Sequence, residues 1–593
     1  QTLNRFLPTV LTRRALERLG VRLEDLAGDN ANLNAQQLGS AEERLEARFA
    51  KNPIYDSETL EKQIRAGLKK LSKMQCSDGG WGWFSGRGEY STPYLTALVT
   101  RGLILARDAG VGVDPRMIDR GLKWLQEYLT DETLKLLNGE TWSDEQKSEH
   151  PDQWKSRASS IDVLVYYVLH RGGCVAGVPE PKEMERTTIA ADLIRMRDYI
   201  WRDRADRSLY SLSLYALALE IEKESSAKET SVLKTADGEW STQDRIDETI
   251  RMLRQYLVVD SENQTAYLDV GNASCWGGFW RWWSWDGNLI ETQTALLRLL
   301  VRERPDSPEN AMLVKYLLNN RKNGTYWNST RDTALCVEAF CDYLAATGET
   351  AKSSKVEVLV DGQVRHTCDI TPENLLTIDN TLEISELSDG EHTVTVRKTG
   401  DGPLYWNVYM KNFTLEEFIE KAGLEVKIER RYRLLTEDKE ATADVVGGRG
   451  QALSQRVKKW IRTPLEATAT VQSGQRIEIE LLIESKNDYD FILIEDPKAA
   501  GFEPVEQLSG YDGNTLGAYV EYRDDRVCFF VKKLDRGRFS VTYQVRAEQP
   551  GNFSALPATI LGMYAPELAG NSDENKVEVT DLPETPSSDG EQP

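Results

Sequence analysis

The stretch Leu71-Ser-Lys-Met-Gln-Cys-Ser-Asp-Gly-Gly-Trp-Gly-Trp-Phe84 reads as a hinge between two helices. Asp78-Gly79-Gly80 supplies the left-handed backbone conformations that end a helix, because glycine lacks the Cβ that makes positive φ costly. Trp81 and Trp83 are expected to cover the exposed helix end. Related pairings recur at Gly139–Trp142, Gly238–Trp240, Gly277–Trp280 and Gly324–Trp327. Their spacing of roughly 40 to 60 residues, or a multiple of it, is that of stacked helical hairpins.

The flanking sequence carries the helical period. Apolar residues fall on one stripe over 4–19 and 57–74, the second capped by Ser57. Further helices are expected over 92–108, 115–129, 157–170, 186–201, 208–223, 242–257, 288–302, 308–319 and 330–346. Ala97, Gly102 and Ala106 are small enough to let helices approach closely. The polar segment 130–156 is expected to leave the scaffold as an excursion, and the alternating charges of Arg202–Arg207 read as a solvated helix face. Such a count closes about six hairpins into an α/α toroid. Cys275–Trp285, CWGGFWRWWSW, is the most aromatic stretch and is expected to plug one end of it, with a carbohydrate-stacking platform as the alternative.

Near Lys352 the period changes from helical to alternating. Lys355–Val360, the Asp361-Gly362 turn and Glu391–Arg397 mark a small β unit over 353–422. Strands expected at 426–434, 476–483, 491–495, 519–522, 527–532 and 539–546 make 423–580 an antiparallel sandwich. The acidic, proline-bearing tail 581–593 is expected to be disordered. The fold class is therefore multidomain α plus β, with a toroid over 1–352 followed by antiparallel β-sandwich domains.

Composition narrows the function. A net charge of −22 over 593 residues disfavours a nucleic-acid partner, and no basic patch overrides it. The seven cysteines lack CxxC spacing and the four histidines are scattered, so neither a metal centre nor any other cofactor is expected. Cys336 and Cys341 read as small buried thiols on one helix. No apolar run approaches the ~20 residues that span a bilayer. The chain begins at Gln1 and is expected to be part of something longer. A toroid invites comparison with terpene cyclases and protein prenyltransferases, but no DxDD run and no zinc-ligating Asp, Cys and His set occurs. Paired carboxylates for glycan cleavage remain open, since their diagnostic spacing is three-dimensional.

More specific signals lie in Gln1–Pro8, the MQCSDGGWGWF hinge, Tyr94–Val99, Gly121–Leu125, Asn323–Ala334, Asp496–Glu503, Tyr522–Arg526 and Gly562–Pro566. In these the chain resembles the C-terminal portion of bacterial alpha-2-macroglobulins, in that family's domain order. The resemblance implies a thioester domain over 1–352, the C-terminal part of a CUB-like domain over 353–422, and a macroglobulin-like sandwich over 423–580. It implies that Gln1 is the acyl half of an internal Cys–Gln thioester whose cysteine lies three residues upstream. Met563 and Tyr564 are implied to shield that bond; without the resemblance they read as strand-end core residues. His150 is the candidate acyl acceptor that would steer transfer to hydroxyls, and without it amines are expected to attack directly.

The implied activity is a broad-range protease trap, a single-turnover acylating device rather than an enzyme. Its implied partners are target proteases, held covalently, and upstream macroglobulin domains of the same protein. The implied location is periplasmic or extracellular, with any membrane anchor upstream. Two alternatives stand beside it. One is an interaction or structural protein that keeps the scaffold without the thioester. The other is an α/α-barrel enzyme acting on glycans or terpenoids, which a toroid plugged by Trp276, Trp280, Trp282 and Trp283 would oppose.

Overall fold

The computed structural model describes residues 2–19, 57–84, 88–174, 189–225, 233–235, 238–270, 289–321, 327–348 and 353–371. Between 374 and 581 it describes everything except short stretches within 375–467. The chain divides into two compact units, Gln1–Trp406 and Asn407–Pro593.

The described residues of the first unit form twelve α-helices. They are α1 (Thr2–Leu19), α2 (Ser57–Met74), α3 (Pro93–Asp108), α4 (Pro115–Thr141), α5 (Asp144–Glu149), α6 (Ser160–Arg171), α7 (Ile189–Arg202), α8 (Leu209–Ser225), α9 (Thr242–Arg254), α10 (Leu289–Glu303), α11 (Pro308–Asn319) and α12 (Thr330–Thr347). Six of them close a ring, with α1 packed on α3, α3 on α6, α6 on α8, α8 on α10, α10 on α12 and α12 back on α1. Helices α2, α4, α7, α9 and α11 lie against that ring. This is the expected α/α toroid. The inner helices α3, α6, α8 and α10 are buried on nearly every face, as a helix enclosed by others must be. At Gly102 an added Cβ would lie 2.6 Å from Leu3 Cδ1, so a larger residue would push α1 off α3.

The ring helices are joined by buried charge. Arg298 on α10 reaches Glu338 at 2.9 Å and Asp342 at 2.9 Å, both on α12, and its Nη1 donates to the Tyr167 hydroxyl on α6 at 3.3 Å. Arg101 on α3 pairs with the same Glu338 at 2.5 Å, and Arg302 joins Glu220 on α8 at 3.2 Å to Asp342 at 3.4 Å. Burial alone would raise the carboxyl pKa values here. Arg101 and Arg298 nevertheless hold Glu338 below its ordinary range, and Arg298 and Arg302 push Asp342 down to about 2. Glu220 goes the other way: desolvation outweighs Arg302, and its pKa rises to about 7.

Four sequence expectations change. The segment 130–156 is not an excursion at its start, because α4 continues to Thr141 with Thr133 and Leu136 buried. Gly139–Trp142 is therefore the end of a helix rather than a hinge. An added Cβ at Gly139 would come within 2.2 Å of the Lys155 carbonyl, which shows how closely 150–156 folds back. Gly238–Trp240 is a strand paired with Leu233–Thr235. Arg202–Arg207 is not simply solvated, since Asp203 is buried and accepts from Ala158 N–H at 2.9 Å. The aromatic run 275–285 lies outside the described residues. A three-stranded sheet, ordered Gln363–Ile370, Ser354–Val360, Val394–Gly400, completes this unit.

The second unit is a sandwich. A five-stranded antiparallel sheet is centred on Val426–Asp438, Arg476–Ser485 and Gly537–Ala547. A seven-stranded antiparallel sheet carries Tyr519–Tyr522, Arg526–Leu534, Tyr489–Pro497, Thr559–Gly562 and Ala565–Asn571 in that order. Alternate residues of both fill one core, among them Ile477, Ile479, Leu481, Ile492, Ile494, Phe529, Val541 and Val545. A fully buried Arg430–Asp496 pair at 2.7 Å crosses that core; Tyr543 OH donates to Asp496 at 2.8 Å, and Arg430 donates to the Ala555 carbonyl at 2.7 Å.

Glu338→Gln leaves two buried arginines short of a counter-charge and is expected to destabilise the toroid by about 3–5 kcal/mol, read from guanidinium denaturation. Glu220, with a raised folded pKa, favours the folded state while protonated, so its contribution is lost as the pH rises from about 4.5 through 7. Glu220→Gln is therefore expected to raise the melting temperature at pH 8 by about 1–3 °C and to leave it unchanged at pH 4.

Candidate functional site

Gln1 lies outside the described residues, but the helix that follows it is defined. Thr2 opens α1, and its hydroxyl lies 3.8 Å from Met74 Sδ at the end of α2. Phe6 covers Gly67, and Arg13 pairs with Glu61, so α1 and α2 run antiparallel. The chain start is thereby set against the entrance to the hinge that follows Met74.

That hinge is built around Asp78. Its Oδ1 accepts from Gly80 N–H at 3.1 Å and from Ser91 Oγ at 2.6 Å, and its Oδ2 accepts from Trp124 Nε1 at 3.0 Å. Desolvation would raise its pKa, but the hydrogen bonds from Ser91, Gly80 and Trp124 together hold it below the usual carboxylate value. Gln75 Nε2 donates to the carbonyls of Gly79 and Met117, and Arg120 donates to that of Cys76. Gly79 has φ +102°, and a Cβ there would sit 2.8 Å from the Arg120 carbonyl, so both backbone and space require glycine.

The two tryptophans divide their roles. Trp81 is buried and donates its Nε1–H to the Leu71 carbonyl at 3.0 Å, while its N–H donates to Thr96 Oγ1 at 2.9 Å. Trp83 is exposed instead of covering the helix end, as are Phe84 and Tyr90. Trp327 repeats the Trp81 arrangement, with Nε1–H donating to Leu317 at 2.8 Å and N–H to Thr333 Oγ1 at 3.2 Å. The same ten-residue reach back to the preceding helix is direct evidence of the hairpin repeat.

His150 ends α5, which is capped reciprocally by Ser143 and Gln146. Its ring is exposed and stands edge-on to Trp142 at 5.8 Å. No described contact joins it to α1 or the hinge.

In the second unit Met563 and Tyr564 form the turn between Thr559–Gly562 and Ala565–Asn571. They are 43% and 42% exposed, so they are not core residues. Met563 N–H donates to the Phe491 carbonyl at 2.9 Å, and the Tyr564 ring meets the Phe491 ring edge-on at 5.3 Å. Phe491 is 40% exposed and has φ +58°, a strained conformation for an aromatic residue. It was expected only as the first residue of a strand. A signal was available: Phe491-Ile-Leu-Ile494 is a continuous apolar run where alternation would place a polar residue outward.

Among the described residues no group of three or more His, Cys, Asp or Glu side chains converges as a metal site, and no helix is long and apolar enough to cross a membrane. Two small cavities adjoin Arg331, one lined by Tyr94, Ser160 and Tyr210 and the other by Leu3, Leu7 and Arg101; each has room for about one water.

A ring of helical hairpins with a macroglobulin-type sandwich defines the class. The "A-macroglobulin TED domain" family matches residues 46–343, half of the chain, and the "Bacterial Alpha-2-macroglobulin MG10 domain" family matches residues 426–567. The chain belongs to the bacterial alpha-2-macroglobulin family. It is 23% identical over 527 residues to an alpha-2-macroglobulin homolog of Nostoc sp., covering 87% of this chain and 23% of that one. It is 39% identical over 71 residues to the alpha-2-macroglobulin of Thermotoga maritima, covering 12% and 4%. Trypsin-activated alpha-2-macroglobulin from Escherichia coli aligns with TM-score 0.38 at 16% identity, over 94% of this chain and 32% of that one. Salmonella alpha-2-macroglobulin reacted with methylamine aligns with TM-score 0.32 at 19% identity, over 96% and 31%. The chain thus spans about a quarter of the Nostoc relative and about a third of these solved chains.

Asp78→Ala removes an acceptor shared by three donors and is expected to lower hinge stability by about 1–3 kcal/mol. Because the Asp78 pKa is depressed, its contribution is complete above about pH 4 and is lost as the pH falls through the folded value. Urea denaturation of wild type and variant at pH 7 and pH 3 checks both, with the difference expected to shrink at pH 3.

Proposed function

We propose that this chain is the C-terminal portion of a single-turnover protease trap. Gln1 would supply the acyl half of an internal thioester with a cysteine three residues upstream in the parent protein. Membership of the family carries this reading, supported by the position of Thr2 at the first turn of α1. A helix N-terminus favours developing negative charge and can polarise a nearby carbonyl.

The chemistry balances without a cofactor. An amine nitrogen attacks the Gln1 side-chain carbonyl carbon, the C–N bond forms, and the C–S bond breaks. The electron pair leaves with sulfur, which takes up the proton lost by the amine. A thiolate leaves far more readily than an amide nitrogen, so the bond is a stored acylating agent. Water attacking the same carbon would convert Gln1 to a glutamate and waste the device. Met563 and Tyr564, as an exposed apolar turn, are suited to exclude water until bait cleavage in the upstream part releases the bond. Lysine amines of the attacking protease are then the acceptors. His150 would act on hydroxyl acceptors only if rearrangement brought it to the acyl carbon.

The domain order in this reading is a thioester domain over 1–352, the end of a CUB-like domain over 353–422, a macroglobulin-like sandwich over 423–580 and a tail over 581–593. The partners are the captured protease and upstream macroglobulin domains, in the periplasm or outside the cell. The buried arginine–carboxylate pairs that join the inner helices weigh against a barrel enzyme, because these acids are held by arginines rather than left for catalysis.

Incubating the parent protein with trypsin and resolving the products under denaturing, reducing conditions tests the reading. A protease–protein adduct that survives denaturation is expected, and Gln1→Glu is expected to abolish it without altering cleavage. Cleavage without adduct in the wild type would leave only a scaffold role.

A further inference from the structure

His392 stands just before the strand Val394–Gly400 of the three-stranded sheet, and its ring lies between two acceptors. Nδ1 is 2.7 Å from Asp361 Oδ2, and Nε2 is 2.6 Å from the Ser388 carbonyl. Asp361 and Gly362 make the two-residue turn between Ser354–Val360 and Gln363–Ile370, with φ +52° and +80°, the left-handed pair that such a turn requires. Asp361 also carries the ladder one step beyond the paired Val360 and Val394. Its N–H donates to the Thr393 carbonyl at 2.9 Å, and its Oδ1 accepts from the Thr393 N–H at 2.9 Å.

The chemistry of the two acceptors sets the proton count of the ring. Neither a carboxylate nor a carbonyl oxygen has a proton to give, and a neutral imidazole carries a single N–H. A neutral ring would therefore aim one nitrogen lone pair at an oxygen within hydrogen-bonding distance, whereas an imidazolium donates at both ends. Protonating Asp361 instead is disfavoured, because the His392 ring and the Thr393 N–H stabilise its charged form and hold its pKa below the ordinary carboxylate value. The Ser388 carbonyl and Asp361 in turn raise the pKa of His392. Arg365, on the facing strand, also favours ionised Asp361, and Glu391 adds an exposed negative charge next to His392 in the chain.

We propose that His392 is a pH-sensitive latch, its doubly donating ring holding the chain at Ser388 and Thr393 against the Asp361–Gly362 turn and releasing it when one proton is lost. A group whose folded pKa is raised contributes stability below its unfolded value, about 6.5 for histidine, and loses that contribution as the pH rises through the folded value. The latch is therefore closed in acid and opens toward alkaline pH. Past Gly400 the Tyr405 hydroxyl lies 3.0 Å from that of Tyr343 on α12, which ties the far end of the strand to the toroid. Opening is thus confined to the near end, and the ladder from Val394 to Gly400 stays paired.

In the intact protein, isotope-labelled histidine gives ring signals by magnetic resonance, and His392→Gln identifies the one that belongs to His392. Its titration is followed from about pH 5 to 9 together with hydrogen exchange at the Asp361 and Thr393 amides, each corrected for the intrinsic rate. The expected midpoint lies above about 6.5, with amide protection falling about tenfold per pH unit beyond it, while protection at the paired Val358 and Val396 is unchanged. Asp361→Asn supplies the opposite sign. Asparagine tolerates the left-handed turn, so the hairpin is kept. The new amide donates to Nδ1 of a neutral ring whose Nε2–H still reaches Ser388, so the midpoint is expected to drop below about 6.5 and protection to survive at high pH. A wild-type midpoint at or below about 6.5, or protection at Asp361 and Thr393 that is constant through it, overturns the latch. A midpoint that stays raised in Asp361→Asn overturns it as well, since Asp361 would not be the partner that holds the proton.

Discussion

The Arg101–Glu338 pair joins α3 to α12, helices separated by most of the toroid's length of chain that flank α1 on either side in its ring. A ring of hairpins must be closed by contacts of this long range, and closure carries a high entropic cost before any reward. An apolar seam could close the ring equally well, since buried ion pairs are often no more stabilising than hydrophobic substitutes. Charge adds discrimination: Glu338 pairs with both Arg101 and Arg298, Asp342 with Arg298 and Arg302, and a slip of one helical turn would leave several of these buried and unpaired.

The hinge Leu71–Phe84 then acquires a definite place. Asp78, Gln75 and Arg120 tie its backbone to α4, and Trp81 ties it to α2. Met74, which leads into it, touches Thr2. Scaffold and proposed chemistry therefore meet at α1. The sandwich repeats the logic on a smaller scale: the buried Arg430–Asp496 pair anchors strands of different sheets, which leaves the Phe491–Tyr564 turn free to stand out from a rigid support.

Much of this was legible in the sequence. Nearly every described helix of the toroid was bounded to within a few residues, because their apolar stripes and caps at Ser159, Ser241 and Ser329 are local signals. The extension of α4 to Thr141 was not legible, since its outer face is polar and only tertiary packing buries Thr133 and Leu136. Trp83 and Trp81 look alike in sequence, and what separates them is tertiary: Trp81 packs in the core with acceptors at Leu71 and Thr96. The charge ladder was invisible for the same reason: arginines and acids at inner positions read as surface until the ring is closed around them. Of the site residues, Met563 and Tyr564 were named only through a resemblance, and Phe491 not at all, because no local rule predicts a left-handed phenylalanine.

The account stands or falls on whether Gln1 carries an acyl bond. The most direct measurement is the intact mass of the parent protein, with peptide mapping across Gln1, before and after methylamine. Thioester formation expels ammonia, so the account predicts a native protein lighter than its sequence by one ammonia, and a methylamide at the Gln1 side chain with one new thiol after treatment. A native mass equal to the sequence, with Gln1 recovered as an unmodified glutamine under both conditions, would contradict it.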